Sequence, residues 1–179
     1  MVTRILVLSR PDIEVMTNTP KLYLGLIGKW NLISIHGSHE KFLTSEIVEK
    51  LHKIGMDCSM SFDFWDITES EVESLEQQGQ KYVLFNKTDA RRIVGMLQEI
   101  KEQEEDSVLI IHCHAGISRS GAVGVFATEF FGYDYREFML DNPQVAPNSM
   151  ILRILREESG IGGKQAFMSK EEADASCYL

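Results

Sequence analysis

The sequence predicts an α/β fold in which a central, mainly parallel sheet is flanked by helices. Short apolar runs typical of strands recur along the chain, and segments with apolar residues at helical spacing separate them. The run SVLIIHC at 107–113 is apolar almost throughout, as expected of a strand buried on both faces of a parallel sheet. With 179 residues, the chain is long enough to form one domain with a substantial core.

Four segments carry the pattern of strands. They are short and rich in apolar residues, and turn residues or an aspartate follow them. The predicted strands cover 4–8, 31–35, 56–62 and 107–113.

The predicted helices are marked by capping residues as well as by periodicity. Thr19 with Pro20, the pair Asp134 and Glu137, and Pro147 are typical helix starts, whereas Gly55, Gly79, Gly132 and Gly160 are typical stops. The helices are predicted over 19–30, 44–55, 70–80, 88–103, 118–131, 134–141 and 147–160.

Composition restricts the classes of function. The formal net charge is −9, and such an acidic chain is a poor candidate for binding nucleic acid. The three cysteines, Cys58, Cys113 and Cys177, are odd in number and widely spaced, which favours a reducing compartment over a disulfide framework. No apolar run has the length of a signal peptide or a membrane span, so we expect a cytoplasmic protein with no membrane partner. We expect one domain over 1–162 and a polar tail over 163–179.

The stretch HCHAGISRS at 112–120 concentrates the chemistry of the chain. Cys113 ends the most buried predicted strand, and a helix begins near Ser118. A loop this short can turn its backbone N–H groups inward as a nest for an anion, and the start of the helix adds partial positive charge. The same field favours the thiolate of Cys113, and the planar fork of Arg119 can hold two phosphoryl oxygens at once. The combination points to transfer of a phosphoryl group to sulfur.

Other interpretations of this stretch fit the sequence less well. A lone cysteine is most often a small buried residue, but the complete string with its strand and helix argues against that. Zinc binding by His112 and His114 is disfavoured, because alternate residues of a strand point away from the thiol between them and no second ligand pair exists elsewhere. GIGGKQ at 160–165 lacks the hydroxyl residue of an ATP phosphate loop.

HCHAGISRSG resembles the signature loop HC-x₅-R-[ST] of the cysteine-based protein tyrosine phosphatases, and most of all their compact dual-specificity-like branch and its bacterial relatives. The resemblance extends more loosely over 31–160. It implies a tyrosine phosphatase-like fold with Cys113 as nucleophile, Arg119 as phosphate clamp and Ser120 as hydrogen-bond donor to the departing thiolate. It also implies that His112 orients the loop and stabilises the thiolate. The phosphate-binding loop would comprise His114, Ala115, Gly116, Ile117, Ser118 and Arg119.

A phosphatase of this type also needs a carboxylic acid to protonate the leaving oxygen. Asp63 and Asp66 directly follow the predicted strand 56–62, and DFW at 63–65 resembles a pattern of the dual-specificity branch, which favours Asp63. Asp66 also fits the N-cap of a helix beginning near Ile67.

The segment 67–87 adds about twenty residues that the compact members of the family lack. These residues could form a lid over the site or carry the acid at Glu69 or Glu71. Asn148, in the segment VAPNSM, resembles an asparagine that supports the catalytic loop in the family. Its other interpretation is a polar residue in the first turn of a helix.

The expected activity is hydrolysis of phosphate monoesters through a phosphocysteine intermediate, without cofactor or metal. The expected substrate is a phosphorylated protein, as in a tyrosine or dual-specificity phosphatase, or a small phosphomonoester, and we expect a monomer. Two alternatives stay open: a phosphate-binding pseudophosphatase, and another thiol enzyme such as a sulfurtransferase or arsenate reductase. An arsenate reductase usually needs resolving cysteines, for which Cys58 and Cys177 are the candidates.

Overall fold

A single parallel sheet organises the chain in the computed structural model, which describes residues 1–19, 29–37, 40, 43–79 and 81–161. The sheet has the strand order β1-β4-β2-β3, and all three strand pairings are parallel, which confirms the predicted architecture. The strands are β1 Val2–Ser9, β2 Lys29–His36, β3 Met56–Asp63 and β4 Ser107–Cys113.

Helices cover both faces of the sheet, because β1, β2 and β4 each carry apolar residues on both of their faces. The described helices are α1 Arg10–Asn18, α2 Ser45–Lys53, α3 Glu69–Gln77, α4 Lys87–Glu102, α5 Arg119–Phe131, α6 Tyr135–Asp141 and α7 Ser149–Ser159. Ile33, Ile111 and Cys113 face the larger core, formed with α4, α5, α6 and α7. Leu32 and Ile110 face the smaller core, formed with α1 and α2. No helix in the described part of the chain is long and apolar enough to cross a bilayer.

The start of the chain contains one helix that the sequence pattern does not predict. α1 follows β1 directly, and Ser9 caps it: the Ser9 hydroxyl accepts from the amide of Asp12, whose carboxylate accepts from the amide of Ser9. Thr19, which the sequence pattern marks as the start of a helix, is the C-cap of α1. The rest of that predicted helix lies outside the described residues, except for Lys29 and Trp30, which belong to β2.

Two further helix starts differ from the predictions, and at the first of them a side-chain cap is the reason. Side chains that accept hydrogen bonds from the first free amides decide where a helix begins. The Asn148 side chain accepts from the amides of Met150 and Ile151, so α7 begins at Ser149 and not at Pro147. Thr68, rather than Asp66, is the N-cap of α3.

The glycine stops behave as predicted where they end α5 and α7. Gly132 and Gly160 adopt left-handed φ values of 67° and 70°, which glycine reaches at little cost.

Candidate active site

The carboxyl ends of all four strands meet at one edge of the sheet. Ser9 of β1 pairs with Cys113 of β4, and His36 of β2 pairs with Asp63 of β3. This edge is the place where open parallel sheets bind their ligands. The thiol, the loop that follows it and both candidate aspartates therefore lie on one side of the molecule.

Cys113 sits at the base of the loop and is 2% exposed. Its Sγ lies 3.0 Å from Oγ of Ser120, which belongs to the first turn of α5 and is fully buried. The hydroxyl can donate to a thiolate at this distance. The predicted partnership of Cys113 and Ser120 thus has the geometry that it needs.

Arg119 is the first residue of α5, and Glu40 fixes its guanidinium from the loop after β2. Nη2 donates to Oε1 of Glu40 at 2.7 Å and Nη1 donates to Oε2 at 3.2 Å, so that the carboxylate holds the end of the fork. Nη1 also donates to the carbonyl oxygen of Phe64, at 3.2 Å. Arg119 is 5% exposed and thus lies beneath the surface of the site.

One edge of this guanidinium is left for a ligand. Nε–H lies beside the outer hydrogen of Nη2 in the planar group, on the edge that Glu40 does not occupy. Nε is buried and has no hydrogen-bond partner among the residues that the structure describes. A buried donor without an acceptor is costly, and an oxyanion on this edge would satisfy it with two parallel hydrogen bonds.

The electrostatics of the pair favour its ionised form. Burial alone would lower the pKa of Arg119, but its hydrogen bond to Glu40 and the nearby charges of Cys113 and Asp66 raise it above its usual value. Burial acts to raise the pKa of Glu40, yet the hydrogen bonds from Arg119 and the Gly37 amide hold it below its usual range. Both groups are therefore charged at neutral pH, and Arg119 is a permanent cation beside the thiol.

The loop between Cys113 and α5 is held in shape by neighbouring backbone. Its carbonyl groups accept from outside: His114 from the Arg10 amide at 3.1 Å, Ile117 from the Ala146 amide at 3.2 Å and Ser118 from the Asn148 amide at 3.2 Å. Gly116 adopts a φ of 70° within this loop.

Gly116 also lies where the loop passes closest to β1. A Cβ atom at this position would stand 2.6 Å from the backbone of Leu8 and of Ser9, closer than any side chain tolerates. Glycine is therefore required here both for its conformation and for space.

The two candidate aspartates differ in what they reach. Asp66 Oδ1 accepts from the hydroxyl of Ser118 in the loop, at 2.8 Å, and from Nδ2 of Asn148, at 2.9 Å. Asp63 is the exposed last residue of β3, opposite His36 in the register. The structure thus brings Asp66 into hydrogen-bond contact with the loop, in place of the helix-capping role that the sequence suggested for it.

The segment 67–87 contains α3, and buried residues lie on either side of this helix. Ile67 is buried, and the Phe85 ring packs against Phe64 with 4.8 Å between the ring centroids. Glu69 forms an ion pair with Arg153 at 2.6 Å, and Glu71 accepts from the amide of Thr68 at 2.8 Å. Both glutamates named as fallback acids thus have partners that stabilise α3.

Asn148 combines the two roles considered for it. Its Oδ1 caps α7, its backbone amide donates to the loop, and its Nδ2 donates to Asp66 and to the carbonyl of Ile67. The side chain reaches the loop through Asp66 and not directly.

His112 faces the opposite side of the sheet from the thiol. Its Nε2 lies 2.7 Å from Oγ of Ser34, and the same hydroxyl lies 2.7 Å from Nε2 of His36. Burial, followed by the charge of His36, lowers the pKa of His112 to about 4. His112 is therefore neutral at pH 7.

Sequence reasoning missed Glu40, Ser34 and His36. Glu40 is separated from Arg119 by 79 positions, and it contacts the guanidinium only because β2 lies beside β4. A signal exists for the other two, because polar residues that end an otherwise apolar alternating strand indicate the functional edge of a parallel sheet. Among the predicted residues, Cys113, Ser120, Arg119, Asp66 and Asn148 form one connected group.

Among the solved structures that are similar to this chain, three match it over most of its length, whereas no family model and no curated protein matches it. The human tyrosine phosphatase-like serine/threonine/tyrosine-interacting protein is 18% identical, with a TM-score of 0.43 and coverage of 86% of this chain and 85% of the other. PTPMT1, in complex with PI(5)P, is 11% identical, with a TM-score of 0.49 and coverage of 88% and 91%. Tk-PTP in the active form is 18% identical, with a TM-score of 0.46 and coverage of 88% and 92%.

Proposed function

We propose that this chain is a phosphatase of the cysteine-based tyrosine phosphatase type, which hydrolyses phosphate monoesters through a phosphocysteine intermediate. One observation carries the proposal. The buried Nε–H of Arg119, which has no partner within the described residues, lies on the guanidinium edge that Glu40 leaves open, in the turn of α5 whose Ser120 contacts Cys113. An anion, a nucleophile and a hydroxyl donor can meet at this one position.

The first step of the proposed reaction forms the S–P bond. The thiolate of Cys113 attacks phosphorus, the bond from phosphorus to the leaving oxygen breaks, and an aspartic acid protonates that oxygen. Arg119 and the loop amides hold the phosphoryl oxygens. The outward-pointing carbonyls of His114, Ile117 and Ser118 support this role, because they leave N–H groups for the inner side of the loop.

The second step breaks the S–P bond. A water molecule attacks phosphorus, and the aspartate formed in the first step takes the proton of that water. The electron pair returns to sulfur, where the Ser120 hydroxyl donates a hydrogen bond to the thiolate. Inorganic phosphate leaves, and no cofactor or metal takes part.

Asp66 is the acid that we propose for this reaction. Its Oδ1 lies 2.8 Å from a loop hydroxyl and Asn148 fixes its position, so the carboxyl stands at the rim where a leaving group would emerge. Asp63 stays the alternative that the DFW pattern favours, and substitution of each aspartate separates them, as described below.

Turnover of p-nitrophenyl phosphate by the purified chain tests the proposal. Cys113→Ser should abolish turnover, because an alcohol in this position is a poor nucleophile. Cys58→Ser, which removes a half-buried thiol from β3, is the matched control and should retain activity. EDTA should have no effect.

Arg119→Lys should reduce kcat/KM by about 10²–10³-fold, nearly as much as Arg119→Ala, because lysine offers a point charge without two parallel donors. A wild-type chain that binds phosphate through Arg119 but shows no turnover would instead be a phosphate-binding module. Loss of activity on chelation would contradict the metal-free mechanism.

A further inference from the structure

A buried row of polar side chains runs across the sheet behind the candidate nucleophile. Ser34 of β2 and His112 of β4 are register partners, and His36 stands two residues beyond Ser34 on the same face of β2. All three are at most 2% exposed. Earlier in the same strands this face carries Trp30, Leu32, Val108 and Ile110 of the smaller core. The change from apolar to polar residues occurs only at the carboxyl edge.

The Ser34 hydroxyl links the two imidazoles, with 2.7 Å to each Nε2 atom. A hydroxyl has one hydrogen, so it donates to one neutral ring and accepts from the other. The two Nε2 atoms must therefore be in opposite protonation states. The hydroxyl couples the tautomer of His36 to the tautomer of His112.

The Nδ1 atom of His112 indicates which way the hydrogen bonds run between His36, Ser34 and His112. Nδ1 is buried and has no hydrogen-bond partner among the described residues, and the backbone of Cys113 acts to raise the pKa of the ring. A backbone group that raises this pKa acts as an acceptor and favours the N–H form, and Nδ1 is the ring nitrogen that Ser34 leaves available to it. With the proton on Nδ1, the Nε2 atom of His112 accepts from Ser34, and Nε2–H of His36 donates to Ser34.

The charged groups around the row keep it neutral. Burial and the charge of Arg10 on α1 lower the pKa of His36, and Arg119 of α5 also acts to lower it, against the charges of Glu40 and of Asp63 on β3. Burial lowers the pKa of His112, as do His36 and Arg10, against Glu40. Protonation of either ring would put a charge into the buried row.

We propose that Ser34 and His36 are positioning residues, which hold His112 in its Nδ1–H tautomer with the ring directed at the backbone of Cys113. The row fixes the end of β4 and hence the starting direction of the catalytic loop. This inference rests on the proposed thiol chemistry, but its test reads the histidine tautomer and the thiol directly and does not require turnover.

The tautomers of His36 and His112 are measured by long-range ¹H–¹⁵N NMR of the folded chain at pH 7. We expect Nε2–H on His36 and Nδ1–H on His112. Ser34→Ala and His36→Asn should each change the His112 spectrum. Ser34→Thr, which keeps the hydroxyl, should preserve it. Ser107→Ala removes a buried hydroxyl from the far end of β4 and is the matched control.

The consequence for Cys113 is measured by its rate of alkylation with iodoacetamide as a function of pH, followed by mass spectrometry of the peptide. Ser34→Ala and His36→Asn should slow the alkylation near neutral pH by severalfold, and Ser34→Thr should restore it. An unchanged His112 tautomer and alkylation profile in Ser34→Ala and His36→Asn would overturn the proposal. So would equal changes in Ser107→Ala. A wild-type chain without phosphatase activity but with the expected tautomers would refute the proposed function and leave this inference standing.

Discussion

Asp66 and Asp63 are three residues apart, and Asp66 accepts hydrogen bonds from both the loop and Asn148. A general acid must stand within reach of the leaving oxygen before its acidity matters. The position of Asp66 is fixed by two donors from different elements, whereas Asp63 completes a strand edge opposite His36.

Substitution of each aspartate by asparagine should separate the two candidates. An acid matters most when the leaving oxygen is basic, so Asp66→Asn should lower kcat/KM for phosphotyrosine by about 10²–10⁴-fold. The loss should be much smaller for an aryl phosphate with an acidic leaving group. Asp63→Asn is the matched control, with the same change of charge and similar exposure. If Asp63→Asn shows the dependence on the leaving group and Asp66→Asn does not, the acid is Asp63.

The two functions of the Asn148 side chain, capping α7 through Oδ1 and donating to Asp66 through Nδ2, can be tested independently. Asn148→Ser keeps a capping oxygen but loses the Nδ2 bonds to Asp66 and Ile67, and Asn148→Ala loses both. The Asn148→Ala variant should therefore be less stable than the Asn148→Ser variant by about 1 kcal/mol in urea unfolding. Both should lose activity on phosphotyrosine to the same extent, up to about 10²-fold, because Asp66 is no longer held. Activity that follows stability, with Ser close to wild type, would show that Asn148 acts only as a cap.

At the scale of elements, the loop depends on its fit against the end of β1 as well as on α5. Gly116→Ala would place a Cβ 2.6 Å from backbone atoms of Leu8 and Ser9, and it would strain a φ of 70°. Gly160→Ala is the matched control, since Gly160 has the same φ and nothing within 4 Å.

We expect Gly160→Ala to lose about 1–2 kcal/mol of unfolding free energy from backbone strain alone, with normal turnover. Gly116→Ala should lose more stability and should be inactive, because the loop must move away from β1. Urea unfolding and p-nitrophenyl phosphate turnover measure both effects. An active Gly116→Ala variant would show that the contact with β1 does not set the shape of the loop.

The elements that the sequence predicted best are those whose signal is local. β4 has the bounds predicted for it, since seven consecutive buried residues need no distant partner to be recognised. α1 was missed because Ser9 and Pro11 favour a turn and a helix start alike, and only the bond between Ser9 and Asp12 decides between them. The loop of the site could be predicted from its motif. Glu40 could not, because the strand order, which no local pattern specifies, places it beside Arg119.

At the scale of the whole molecule, the buried histidines at the carboxyl edge of the sheet lower the stability of the fold at acidic pH. The larger core and the smaller core are apolar on either side of the sheet, and the buried row of Ser34, His36 and His112 interrupts the smaller one. Two buried neutral imidazoles resist protonation, whereas the same residues in the unfolded chain accept protons freely. Folding is thereby linked to pH.

The unfolding free energy should fall as the pH is lowered from about 6.5 toward 4. The folded pKa of His112 is about 4, below its ordinary value of 6.5, and that of His36 is also lowered. Between pH 6.5 and pH 4 the unfolded chain binds more protons than the folded chain, so a lower pH favours unfolding. His112 alone should lower the unfolding free energy by on the order of 3 kcal/mol over this range. Glu40, whose pKa is held below its ordinary 4.5, adds its loss only at lower pH. Urea unfolding at pH 7, 6 and 5 measures the slope, which should be shallower in His112→Gln than in the wild type. Parallel slopes in the two proteins would mean that folding does not change the pKa of His112.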